Sequence, residues 1–253
     1  KTELYLYDTT NKKVGFIPVI KDKEAMFFGT LHRGIIYILT NYRTPLWKIM
    51  AVDISKNNFK INEWDTIIPE MEYKIENFEI SGSKLFIETL ENSHSALKYY
   101  RLDGHFIKKI SLPAIGSLTA INAEKEGDNL FFGFSSFLTP PFIYCFNLTQ
   151  ERLTILKKEK NCLDSSQYTV KQSWCASKDK TKIPLFIVHK KEIELNGENP
   201  LLLYGYGGFG ISTVPYFNKN IIPFIESGGI YAIANIRGGG EFGEKWHKSG
   251  IGQ

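Results

Sequence analysis

Four β-like runs in this chain end on an Asx residue: Leu4-Tyr-Leu-Tyr-Asp8, Lys48-Ile-Met-Ala-Val-Asp53, Lys98-Tyr-Tyr-Arg-Leu-Asp103 and Ile143-Tyr-Cys-Phe-Asn147. Their ends recur at intervals of roughly 44–50 residues, the length of a four-stranded propeller blade. A second series, Ile35–Leu39, Lys84–Glu88 and Leu130–Phe134, precedes the last three in step. Turn-rich links at Asn41–Pro45, Glu91–His94 and Ser135–Pro140 join each pair. An Asx side chain at a strand end suits a turn, because it can accept from the backbone two residues on. A blade cannot bury both faces of its own sheet, so such repeats must stack radially. The spacing predicts a partial β-propeller over residues 1–163, with about three blades and the outer strands of a fourth.

Composition supports this and narrows the function. Aromatic residues make up 14% of the chain, led by 18 Phe and 13 Tyr, which leans toward strand. The net charge of +4 comes from interspersed acids and bases, without the basic stripe that phosphate neutralisation needs, so nucleic acid is not an expected partner. Lys157-Lys158-Glu159-Lys160 reads as a solvated loop. No apolar run approaches a membrane span, and the first residues lack a signal-peptide core; they open inside a strand-like alternation instead. Cys145, Cys162 and Cys175 match neither a metal clamp nor a disulfide framework. They read as free thiols in a reducing compartment, which points to the cytoplasm and away from use of the sequon at Asn147.

The pattern changes after about Lys160. Tyr168–Trp174 and Ile183–His189 flank a hairpin-type turn at Ser177–Lys180. Leu201–Tyr204 and Gly229–Asn235 are short apolar runs of the kind expected for strands buried on both faces. Between them, Phe217, Ile221, Phe224 and Ile225 fall at near-helical spacing and predict a crossover helix within Tyr216–Glu226. Strand, helix and parallel strand form an α/β unit, here over residues 164–253.

Gly205-Tyr-Gly207-Gly-Phe-Gly210 has the form G-x-G-x-x-G and follows a strand, with Glu226 at the distance of a ribose contact. A dinucleotide site is nevertheless a poor fit. Pro215 delays the helix whose N-terminus should hold the pyrophosphate. Tyr206 and Phe209 put rings where backbone amides should approach phosphate, and the second copy of the pattern, at Gly238–Gly243, carries an anion-repelling Glu241. An NAD-dependent oxidoreductase is therefore set aside, and no cofactor or metal is expected.

The two glycine motifs together are more specific. Tyr204-Gly-Tyr-Gly-Gly-Phe209, Ala234-Asn-Ile-Arg-Gly-Gly-Gly-Glu-Phe-Gly243 and Trp246-His-Lys-Ser-Gly250 follow propeller-like repeats, with Lys180–Lys190 leading in. This combination resembles the prolyl oligopeptidase (prolyl endopeptidase) family of serine peptidases along essentially the whole chain. The resemblance implies the later blades of a β-propeller followed by the first part of an α/β-hydrolase domain. It also implies a serine endopeptidase that hydrolyses short proline-containing oligopeptides on the carboxyl side of proline. The second tyrosine of the Tyr-Gly-Tyr motif, Tyr206, corresponds to the family's oxyanion-hole hydroxyl, and Phe209 to a wall of its proline pocket. A phenol is a good neutral donor for an oxyanion, and a flat ring suits a pyrrolidine. Arg237–Gly243 reads as structural, with Arg237 and Glu241 a candidate ion pair.

The family's Ser-Asp-His triad has no match in these residues. No serine stands in a G-x-S-x-G elbow; Ser81, Ser83 and Ser117 belong to blade turns. His32, His94 and His105 fall in the blades, His189 ends a strand, and His247 precedes the place of the elbow. The chain is accordingly expected to be inactive alone, and open blade faces and sheet edges to favour self-association. The alternative is a propeller module used for binding, or the remnant of a split gene.

Overall fold

The computed structural model describes residues 1–56, 59–124, 126–158 and 163–252. Cys162, Glu159 and Lys160 lie outside the described residues. Strands β1 (Leu4–Tyr7) and β2 (Phe16–Ile20) form a two-stranded antiparallel ribbon. A four-stranded sheet follows, built from β3 (Phe27–His32), β4 (Ile35–Thr40), β5 (Lys48–Asp53) and β6 (Asp65–Ile68). The next comprises β7 (Lys74–Ser81), β8 (Lys84–Glu91), β9 (His94–Arg101) and β10 (Phe106–Ile110). A third comprises β11 (Ser117–Ala123), β12 (Asn129–Ser135), β13 (Phe142–Asn147) and β14 (Arg152–Lys157). Each is an antiparallel meander in sequence order, the form of a propeller blade.

The continuous apolar runs of β4 and β8 follow from packing on both faces. Alternate residues of a strand point to opposite sides of its sheet. Leu85 and Ile87 join Tyr37, Leu39 and Ile49 of the preceding blade. Phe86, between them, joins Phe132, Phe134 and Tyr144 of the following blade. β4 and β8 therefore each serve two cores, which leaves Ile36–Leu39 and Leu85–Ile87 continuously apolar. The β1–β2 ribbon contributes Val19 and Ile20 to a core with Phe27, Ile38 and Met50.

The Asx residues act as their positions require. Asp8, Asp53 and Asp103 accept the backbone N–H two residues on, from Thr10, Ser55 and His105, at 2.8, 2.8 and 3.1 Å. Asn147 accepts from Gln150, three residues on, at 2.8 Å. Because Asp8, the first of these residues, directly follows β1, the β1–β2 ribbon occupies the third-and-fourth-strand place of a blade.

The remaining sheet has the order β15-β16-β18-β17, with β15 (Tyr168–Ala176), β16 (Lys182–Lys190), β17 (Leu201–Gly205) and β18 (Ile230–Ala234). β17 and β18 are parallel, as the strand–helix–strand reading requires. The connecting helix is shorter than the expected span. A 3-10 turn at Lys219–Ile221 leads into α1 (Ile222–Glu226), with Pro223 in its first turn. Pro215 and the Asn218 cap, which accepts from the Asn220 N–H at 3.0 Å, delay its start.

A second expectation fails at β17. Leu201, Leu202, Leu203 and Tyr204 are 60%, 45%, 59% and 43% exposed, not buried on both faces. The strand is at the edge of its sheet, and no described element covers either face. β18, inside the sheet, buries Tyr231, Ala232 and Ile233 as expected. A short helix, α2 (Gly243–Lys248), completes the order.

Each blade meets the α/β portion through the link between its second and third strands. From the first blade, Pro45 O accepts Glu244 N–H at 3.1 Å, and Asn41 donates to the Glu244 carboxylate at 2.9 Å. From the second, Asn92 O accepts from the Gln172 amide. From the third, Ser135 Oγ accepts Phe217 N–H at 3.1 Å, and Phe137 stacks obliquely on Phe186 with ring centres 5.4 Å apart. Three successive blades thus hold the α/β portion from one end.

Candidate functional site

Both glycine loops leave the carboxyl ends of the parallel strands β17 and β18, the usual place for a site in an open α/β sheet. Tyr206 and Phe209 are both on the first loop. Tyr206 is 45% exposed, and its ring lies over Gly208, where a side chain at that glycine would meet Cε1 and Cζ at 3.4 and 3.5 Å. Among the described residues its hydroxyl has no hydrogen-bond partner.

Phe209 is 86% exposed and sits at φ 55°, a left-handed conformation that a bulky residue rarely adopts. It is a central residue of the turn Gly208–Ile211, closed by Ile211 N–H donating to Gly208 O at 3.0 Å. Gly210, the other central residue, has φ 67°, so both carry positive φ as in turns of the primed type. Backbone strain of this kind persists only where surrounding contacts fix the loop.

The second loop supplies those contacts. Gly210 N–H donates to Gly238 O at 3.0 Å. A side chain at Gly207, itself at φ 60°, would meet Ile236 Cγ1 at 2.5 Å and Arg237 O at 2.6 Å, so only glycine fits there. Thr213 N–H donates to Glu241 Oε1 at 2.8 Å, and Asn235 Nδ2 bonds both Thr213 O and the same carboxylate oxygen. Glu241 and Asn235 are 1% and 0% exposed, and burial raises the Glu241 pKa above its ordinary value.

The candidate ion pair between Arg237 and Glu241 is not formed. Arg237 reaches instead to Asp179 and Ser177 in the β15–β16 turn. Asp179 is lowered to about 2, first by the Thr181 backbone N–H and then by Arg237. Glu241 turns inward because the Thr213 N–H and the Asn235 amide meet it there. The role of that buried carboxylate was not legible: a glutamate flanked by glycines reads as a loop residue, and its partner Thr213 is 28 positions away.

Three of the five histidines brace the scaffold. His247 Nδ1 donates to Gly238 O at 2.8 Å, His32 Nε2 to Gly82 O at 2.8 Å across blades, and His189 Nδ1 to Lys190 O at 2.7 Å. Glu226, which a dinucleotide site would direct at a ribose, pairs with Lys190 at 2.6 Å. Cys145 is buried and Cys175 exposed, both unpaired. Among the described residues, no helix is long and apolar enough to cross a membrane, and no cluster of three or more His, Cys, Asp or Glu is placed to hold a metal ion.

Comparison with known proteins agrees with this fold. Residues 1–159 match the model of the prolyl oligopeptidase N-terminal β-propeller domain, and residues 215–253 that of the prolyl oligopeptidase family. Prolyl endopeptidase of Elizabethkingia meningoseptica is 33% identical over 98% of this chain and 35% of its own length. A dual function macrocyclase-peptidase of Galerina marginata is 34% identical over 87% of this chain and 31% of its own. A solved structure from a structural and mechanistic analysis of two prolyl endopeptidases superposes with a TM-score of 0.89 at 31% identity, over 98% of this chain and 36% of that one. Prolyl oligopeptidase B from Galerina marginata, bound to a 35mer hydrolysis and macrocyclization substrate, gives 0.87 at 32% identity over the same shares.

Blades of a β-propeller followed by the start of a hydrolase domain define the class. The chain belongs to the prolyl oligopeptidase family, and it spans about 35% of the length of the curated prolyl endopeptidases it matches.

Proposed function

We propose that this segment supplies the oxyanion donor, Tyr206, and one wall of the proline pocket, Phe209, in a serine endopeptidase that cleaves short peptides on the carboxyl side of proline. The observation that carries the reading is the pairing of an exposed, unpartnered phenol with an exposed aromatic held in a strained turn, both at the carboxyl ends of parallel strands. Neither feature helps the fold. An unpartnered hydroxyl and a bare ring suit a site that is completed by substrate.

Serine attack on the scissile carbonyl turns its oxygen into an oxyanion. The Tyr206 hydroxyl would donate to that oxygen and stabilise the charge as it develops, while remaining a neutral phenol. Phe209 would stack on the pyrrolidine ring of the proline before the scissile bond and fix the carbonyl relative to Tyr206. No G-x-S-x-G occurs in the 253 residues, so on this reading nucleophile, aspartate and histidine come from elsewhere in the protein. Acyl transfer by this route needs no cofactor.

We place the boundary between propeller and hydrolase portions at residue 163/164, where antiparallel blades give way to the mixed sheet. The unpaired Cys145 and Cys175 favour the cytoplasm. In a polypeptide that joins this segment to a complete hydrolase domain, Tyr206→Phe should lower kcat by about 10²–10³ with little change in KM. Unchanged kcat would overturn the assignment of Tyr206.

A further inference from the structure

The strained turn that presents Phe209 needs an anchor on each side. Upstream, Gly207 is wedged against Ile236 and the Arg237 carbonyl. Downstream, the first residue tied by a side chain is Thr213, whose N–H donates to Glu241 and whose carbonyl accepts from Asn235. Both partners are fully enclosed, and Asn235 is itself pinned at the end of β18 by its N–H bond to Pro184 O at 3.0 Å. Glu241 lies against Gly239, where any side chain would collide with its carboxylate. The carboxylate is thus held by its surroundings and in turn holds the loop.

We propose that Glu241, acting with Asn235 on Thr213, is the positioning residue that keeps Tyr206 and Phe209 in register with substrate; this rests on the reading of those two residues given above. One oxygen, Oε1, takes both hydrogen bonds, and the second oxygen has no partner among the described residues. What the loop requires is therefore an acceptor at that point, not a negative charge. A glutamine can supply the acceptor. An aspartate, one methylene shorter, falls short of Thr213.

Two measurements test this. Amide hydrogen exchange on the 253-residue chain reports the anchor directly. Glu241→Ala and Glu241→Asp should speed exchange at Thr213, Gly210 and Ile211 by tenfold or more, whereas Glu241→Gln should stay within about threefold of wild type, since the bonds are kept. Acceleration at Thr213 alone, or an aspartate variant better protected than the glutamine variant, would overturn the proposal. Should the alanine variant fail to fold, the aspartate–glutamine comparison still decides.

Kinetics in the complete peptidase supply the second. Glu241→Ala should lower kcat/KM roughly 10²-fold, as expected for a misplaced catalytic group. Its effect on kcat should shrink in a Tyr206→Phe background, because the part exerted through the Tyr206 hydroxyl is already lost. Fully additive losses in kcat would overturn the inference. A Tyr206→Phe variant with wild-type kcat would sink the reading of Tyr206 instead, a failure told apart because the exchange result is independent of it.

Discussion

His247 Nδ1 donates to the carbonyl of Gly238 at 2.8 Å, and the same carbonyl accepts the N–H of Gly210 at 3.0 Å. One oxygen thereby joins α2 and both glycine loops, and the histidine acts as a staple rather than as a base. Gly238 itself has φ 96°, and a side chain there would run into the Gly207 carbonyl.

Gly238→Ala should therefore cost the chain about 3 kcal/mol or more, since it combines a forbidden backbone with a backbone collision. His247→Ala should cost about 1 kcal/mol, the worth of one hydrogen bond. Urea-denaturation midpoints of the dilute chain check both, and equal midpoints for the two variants would contradict the ordering.

Glu88 offers a pH test within the blades. It is 6% exposed in β8 and accepts from Ser95 Oγ at 2.6 Å, while Ser95 Oγ accepts Leu118 N–H of the next blade at 3.0 Å. Burial raises its pKa to about 7, with Glu76 adding to the rise and Ser95 and Lys74 opposing it. A pKa raised in the folded state means that stability is fully present below the unfolded value and falls as pH rises through the folded one. Glu88→Gln, which keeps the acceptor, should match wild type at pH 4 and exceed it by up to about 3 kcal/mol at pH 8. Melting curves across that range check it; a glutamine variant with no advantage at pH 8 would contradict the burial account.

The exposed edge strand should make the chain associate. Leu201 and Leu203 share one face of β17 and Leu202 and Tyr204 the other, with all four open to solvent. Sedimentation at increasing concentration should show self-association, and Leu201→Lys with Leu203→Lys should reduce it, as charges on edge strands do. A wild-type chain that stays monomeric throughout would contradict this.

The propeller was legible because each of its signals is local. The apolar runs of the middle strands and the Asx at each third-strand end lie within one blade, and the interval between such ends is one blade long. Asp53 caps its turn whatever its neighbours do. Tyr206 and Phe209 could be proposed for the site only through the family resemblance of their motif. What stayed hidden depends on distant partners. The apolar run Leu201–Tyr204 looks the same in a covered strand and at an open edge. Arg237 pairs with Asp179 in a hairpin far back in the chain, leaving Glu241 to turn inward. The crossover helix was drawn too long because periodicity registers Phe217 but not the delay imposed by Pro215 and the Asn218 cap.

The central claim is that this segment carries part of a peptidase site, an oxyanion donor and a pocket wall, without the chemistry that cuts. Turnover of a chromogenic proline-containing peptide by the purified 253-residue chain tests it most directly. No cleavage above the uncatalysed rate is expected, whereas turnover that a serine-directed inhibitor abolishes would contradict the account.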